Sequence, residues 1–130
     1  MKKQIMYIEK KTDGLRGEGR IGLVGTSKTG KTLYYDGRTL EKTKVPLKVN
    51  YYDTDSPDDY WISKPKKDGS DALFSSVVEI DADVREEYWT KIRKAPDQIA
   101  DTTYKSPGKS KAEREKIEKG LRRRQMDAGW

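Results

Sequence analysis

The stretch Gly25-Thr26-Ser27-Lys28-Thr29-Gly30-Lys31-Thr32 satisfies the pattern G-x-x-x-x-G-K-[ST], in which backbone amides and a lysine hold phosphates and a hydroxyl holds Mg²⁺. Taken at face value it makes the chain a small NTP-binding enzyme. The chemistry, however, needs a helix to begin at Gly30-Lys31-Thr32, because the free amides of that helix terminus face the phosphates. The next residues are Leu33-Tyr34-Tyr35-Asp36-Gly37, which read as a strand and a turn. A parallel sheet with about 30 residues per βαβ unit has no room here either. The local pattern instead predicts a hairpin in which Ile21 to Ser27 pairs with Lys31 to Tyr35 and Gly30 takes the left-handed position.

A second candidate is Asp53-Thr54-Asp55-Ser56-Pro57-Asp58-Asp59, whose carboxylates have the charge to hold a hard cation. The calcium-loop template wants Gly at its sixth place and Glu at its twelfth, where Asp58 and Lys64 stand. A solvated acidic turn between strands is expected, and no metal or cofactor site is read. A third signal is aromatic: in the pairs Tyr34-Tyr35, Tyr51-Tyr52 and Tyr60-Trp61, strand geometry turns one ring inward and its neighbour outward. Outward rings near Lys28, Lys31, Arg38 and Lys48 would suit stacked bases and neutralised phosphates. The same rings could instead serve cross-strand pairing or lie under a helix. The last signal is Arg122-Arg123-Arg124 with Lys111, Lys116 and Lys119, a basic run able to contact phosphates or simply to be solvated.

Composition limits what else is possible. The 130 residues contain no His and no Cys, which removes Ser-His-Asp and Cys-His catalysis, the usual zinc sites and disulfides. Leu, Ile, Val and Phe supply only 22 residues, so the core must be small and must borrow from 8 Tyr and 3 Trp. A net charge of +6 and a pI near 9.4 favour anionic partners by long-range attraction. No apolar run is long enough to span a bilayer or to serve as a signal peptide, so the cytoplasm is the expected location.

These residues must be positioned by short strands as far as about residue 80. The expected strands are Ile5 to Glu9, Arg20 to Ser27, Lys31 to Tyr35, Arg38 to Leu40, Val49 to Asp53, Tyr60 to Ser63 and Val77 to Ile80. Asp36-Gly37 is a two-residue hairpin signal. The period then shifts to 3.6 residues: Val84, Tyr88 and Ile92 share a helix face from Val84 to Lys94, with Asp83 and Glu86 as a capping box. Residues 97–110, holding Ser106-Pro107-Gly108, read as a flexible linker. A second helix is predicted from Lys111 to about Asp127, with Ser110 as N-cap and Glu113 completing a capping box.

The segments Met6-Tyr7-Ile8-Glu9, Ser27 to Tyr35, Asn50-Tyr51-Tyr52-Asp53, Tyr60-Trp61-Ile62-Ser63, Lys67-Asp68-Gly69, Glu79-Ile80-Asp81 and Val84 to Trp89 resemble a family of small uncharacterised bacterial proteins. The resemblance covers about residues 6–95. Some members carry an automatic label of deoxyxylulose-phosphate synthase, which cannot describe this chain, because such an enzyme needs several large domains. The resemblance brings no catalytic residues with it, and it implies that the position of Lys31 is often Arg, which suits a hairpin.

The chain is therefore expected to be α+β: residues 1–96 form a small antiparallel β-sheet or SH3-like barrel closed by one helix, 97–110 a linker and 111–130 a basic helical tail. Its expected role is a non-catalytic module docking on RNA or a ribonucleoprotein such as the ribosome. The tail would act through Arg122, Arg123, Arg124, Lys111, Lys116 and Lys119, and the sheet face through Lys28, Lys31, Arg38, Tyr34 and Tyr51. The alternative is a protein-interaction adaptor whose tail helix lays Ile117 and Leu121 into a partner groove. A small enzyme using the 25–32 loop stands third.

Overall fold

The structure is a computed structural model that describes residues 1–11, 18–44, 49–72, 74–116 and 119. Six strands, β1 (Lys2–Lys10), β2 (Glu18–Thr26), β3 (Thr32–Tyr35), β4 (Arg38–Lys42), β5 (Tyr51–Asp53) and β6 (Asp59–Ser63), run up and down in chain order. Each pairs antiparallel with the next, and β6 returns to pair with β1, closing a barrel. The expected small barrel is present, with every one of these strands where alternating apolar residues place it.

The turns explain the register. Ser27 N–H donates to the Thr32 carbonyl at 3.0 Å across the β2–β3 loop, and Gly30 has φ of +74°, a conformation that disfavours other residues. Strand β3 begins directly at Thr32, so no helix begins at Gly30-Lys31-Thr32. Asp36 and Gly37 both have positive φ, 51° and 74°, which is the two-residue turn whose twist matches that of paired strands.

Two cores share β1. Met6 and Ile8 point into the barrel with Val24, Leu33, Leu40, Tyr60 and Ile62, and Tyr35 and Tyr51 pack at its margin. Ile5 and Tyr7, on the opposite face of β1, join Ile21, Val78, Ile80, Tyr88, Trp89 and Tyr104 in a second core. That second core exists because β2 is long enough to serve two partners. Its end, Gly25 and Thr26, pairs with β3, while Gly19 to Ile21 pair in parallel with β7 (Ser76–Ile80).

The closing helix is shorter and wider than expected. One α turn, α1 (Arg85–Glu87), passes into a π-helical turn at Tyr88–Ile92, where Arg93 N–H donates to the Tyr88 carbonyl at 3.0 Å. The wide turn places Tyr88 and Trp89 side by side in the core, their ring centroids 5.2 Å apart. Asp83 does not cap it: the N-cap is Val84, without a side-chain cap bond.

The largest departure is in residues 97–110. Thr103–Ser106 form β8, paired antiparallel with β7, and Tyr104 and Ser106 are buried. The stretch expected as a tether is thus part of the sheet, because Tyr104 stacks on Tyr88 at 5.6 Å and its hydroxyl donates to buried Asp71 at 2.6 Å. Gly108 packs against the backbone of Phe74 and Ser75, fixing where the chain leaves the sheet. Residues 111–116 are helical. Their capping box is formed as predicted: Glu113 N–H donates to Ser110 Oγ at 3.2 Å and Ser110 N–H to Glu113 Oε1 at 3.4 Å. The remainder of the second helix, with Ile117, Leu121 and Arg122 to Arg124, lies outside the described residues, as does Lys48.

Candidate nucleic-acid interface

In an up-and-down barrel, odd strands start and even strands finish at the same end, so residues far apart in sequence meet there. At that end Lys2 opens β1, Lys28 and Lys31 sit in the β2–β3 loop, Lys42 finishes β4 with Lys44 two residues beyond, and Lys64 comes just after β6. All six side chains are exposed. None makes an ion pair among the described residues. Inside this end Tyr51 acts as a plug, its hydroxyl donating to the Gly30 carbonyl at 3.0 Å, and Asn50 bonds both backbone groups of Ile62.

The opposite end is built differently. Arg38 donates to Asp53 at 2.6 Å and to Asp58 at 3.3 Å, and Lys10 reaches Asp58 at 3.4 Å. Arg20 holds Asp81 through Nε and NH2 at 3.1 and 2.9 Å and Glu79 at 3.0 Å. Tyr35 donates to the other Asp81 oxygen at 2.5 Å. The Asp55 amide and Arg38 hold the Asp53 carboxyl below the usual carboxylate range. The Tyr35 hydroxyl is pushed up by burial and by its bond to Asp81. A cavity of about 160 Å³ opens here, but its cations are already matched by carboxylates. The acidic turn is thus an ion-pairing partner for Arg38 and Lys10.

The outer wall joins the two ends. Tyr34 and Tyr52 point outward, 38% and 42% exposed, while Tyr35, Tyr51 and Tyr60 belong to the barrel core. The in-and-out alternation expected for the aromatic pairs is therefore present, but Tyr51 is the inward member of its pair and Tyr52 the outward one. Trp61, also outward, is covered by the second core. Two rings remain, and strand spacing puts them about 12 Å apart, so they are separate contacts and not one platform. Of the residues singled out in the sequence, Lys28, Lys31 and Tyr34 are exposed on the same half of the molecule. Arg38 is engaged with carboxylates at the far end.

Among the described residues, the start of the tail helix does not lie at the lysine end. Strand β7 runs parallel to β2, and Ser106 of β8 pairs with Ser76 at the start of β7. The chain therefore leaves the sheet toward the Arg38 end, about 30 Å along β2 from Lys28. Lys111, Lys116 and Lys119 are exposed, with Arg114 folded back over Phe74 at 4.8 Å. Lys2, Lys42, Lys44 and Lys64 are not among the residues the sequence pattern pointed to. Their signal was the placement of lysines at alternate strand ends, which becomes visible once a meander is assumed.

Among the described residues, no cluster of three or more Asp, Glu, His or Cys side chains is placed to share a metal ion, and no helix is long and apolar enough to cross a membrane. Comparison with family models, curated proteins and solved structures finds no match for this chain.

Proposed function

We propose that the chain is a non-catalytic module that docks on RNA or on a ribonucleoprotein surface such as the ribosome. The observation that carries the reading is the lysine end of the barrel: six exposed ammonium groups, without carboxylate partners among the described residues, on strand ends and the loops beside them. A phosphate backbone is a line of such charges of opposite sign, and neutralising it releases counterions, which drives binding. Tyr52, outward and paired with Glu41 across the sheet, adds a ring at the edge of that surface. The capped helix from Lys111 supplies a second basic element at the other end, able to reach a distant part of a large RNA. The resemblance to small uncharacterised bacterial proteins supplies no activity and no site.

The test is affinity purification of the full chain from native lysate, with and without ribonuclease and across a salt series. RNA that co-purifies, and is lost with ribonuclease and with rising salt, is the expected result. A protein partner that survives both treatments overturns the reading in favour of an adaptor, because groove docking is nearly insensitive to salt.

A further inference from the structure

The outer wall carries a groove of about 550 Å³ that runs from Met1 and Lys3 at the lysine end to Asp36 and Asp83 at the other. Its floor is Gly25, which lies directly between Lys3 of β1 and Tyr34 of β3 in the sheet register. A bare Cα between two long side chains makes a slot, and only the Met1 thioether lies close above that floor. Leu23, 37% exposed, lines the same groove two residues along β2.

The slot sits where β2 divides its allegiance. Gly25 and Thr26 pair with β3, Gly19 to Ile21 pair with β7, and Gly22, Leu23 and Val24 have ladder partners only in β1 among the described residues. The groove thus combines an exposed aromatic ring, an apolar backing, Lys3 at its mouth, and Asp36, Asp83 and Arg38 at its far end, where Arg38 is already engaged by Asp53 and Asp58.

Resting on the RNA reading, we propose that this groove takes one base of a single-stranded RNA. The ring stacks on Tyr34 over Gly25 in place of the Met1 side chain. The flanking phosphates stay at the lysine end beside Lys3, and the base points toward Asp36 and Asp83. Arg38 at that end is held by Asp53 and Asp58, so the groups left to meet the base are the Asp36 and Asp83 carboxylates, which accept hydrogen bonds from an exocyclic amine as Asp does from the N4 amine of cytosine. The groove therefore prefers cytosine to uracil, a ring of the same size with a carbonyl in place of the amine.

The experiment is fluorescence anisotropy with labelled twelve-nucleotide oligocytidylate and oligouridylate, using the full chain and three variants. Gly25→Val fills the slot. The added Cβ closes on the flexible Met1 thioether and stands at an ordinary 3.7 Å from Tyr34 Cβ, and a thermal melt of the variant checks that the fold is retained. Tyr34→Ala removes the stacking ring, and Lys28→Glu with Lys31→Glu weakens the lysine end.

The expected result is tighter binding of oligocytidylate by the parent chain, with a roughly ten-fold loss in Gly25→Val and Tyr34→Ala that brings both oligomers to equal affinity. The lysine variant should weaken both oligomers alike and lower the salt slope by about two, leaving the preference intact. If Gly25→Val and Tyr34→Ala match the parent while the lysine variant loses affinity, the groove proposal is overturned and the docking surface stands. If the parent binds neither oligomer at low salt, both fail.

Discussion

The two ends of the barrel are made from the same six strands, yet they treat charge in opposite ways. At the Arg38 end, cations and carboxylates alternate between neighbouring strands, and the Asp53 side chain, 3% exposed, is held by Arg38 and by the Asp55 amide. At the lysine end, cations surround the strand termini and the pairing is left to neutral groups such as Asn50 and the Tyr51 hydroxyl. Paired charges in partly buried positions add to a strand pairing already set by the turns and the core, whereas unpaired surface charges contribute little to stability and act at a distance. The difference separates an end whose charges are matched from one whose cations have no ion-pair partner among the described residues.

The largest expected effect breaks the functional half of this contrast. Lys28→Glu, Lys31→Glu and Lys42→Glu together should lower the affinity for single-stranded RNA roughly a hundred-fold at about 0.1 M salt. Thermal stability should barely change, since none of the three has an ion-pair partner among the described residues to lose. Anisotropy and a thermal melt on the same sample measure both. An unaltered affinity would remove the lysine end from the interface.

Gly22→Val tests the structural half. A Cβ at Gly22 would stand 2.5 Å from the Tyr35 ring and 2.6 Å from the Asp81 carboxylate, so the Tyr35-Asp81-Arg20 cluster must move. The expected cost is about 1–3 kcal/mol by urea denaturation, with RNA affinity at the lysine end retained. Tyr35→Phe should cost less, about 1 kcal/mol, because Asp81 keeps both bonds from Arg20. If either substitution weakens RNA binding while leaving stability intact, the division between the two ends is wrong.

Much of this contrast could be read from the sequence, and the reasons differ by element. Gly30 and Asp36-Gly37 mark their turns because few other residues adopt positive φ, and the paired aromatics announce strands whose faces alternate. The capping box at Ser110 and Glu113 is purely local and was equally legible. Strand β8 was not: Thr103-Tyr104-Lys105-Ser106 offers a single large apolar residue, and Ser106 is buried because its hydroxyl accepts from the Ala72 amide at 3.1 Å. Its stability comes from Asp71 and Tyr88, both distant in the chain. The helix cap expected at Asp83 failed for the same reason, since chain entry there is set by Asp81, whose carboxylate holds Arg20 and Tyr35. The lysine end was legible only in fragments, because closure of the meander is what gathers Lys2, Lys42, Lys44 and Lys64 around Lys28 and Lys31.

The smallest effect sharpens the contrast through pH. Asp53 is held below the ordinary carboxylate value of 3.8 by the Asp55 amide and by Arg38, and Asp68 by the Ser70 hydroxyl and amide. For a carboxyl whose folded value is depressed, the stabilisation is present above the unfolded value and is lost as pH falls through the folded one. Buried Asp71 has the opposite sign: desolvation raises it above 3.8, so its contribution is present below the unfolded value and is lost as pH rises through its folded value, partly offsetting the other two. Comparing the parent with Asp53→Asn isolates the Arg38 end, because Asp68 and Asp71 titrate in both. The parent should melt higher than the variant near about pH 6, and the gap should close as pH drops below about 4. A gap that stays constant down to about pH 2 would mean that the Asp53 charge contributes nothing to the Arg38 end, leaving the register of β4 and β5 to the backbone and the barrel core.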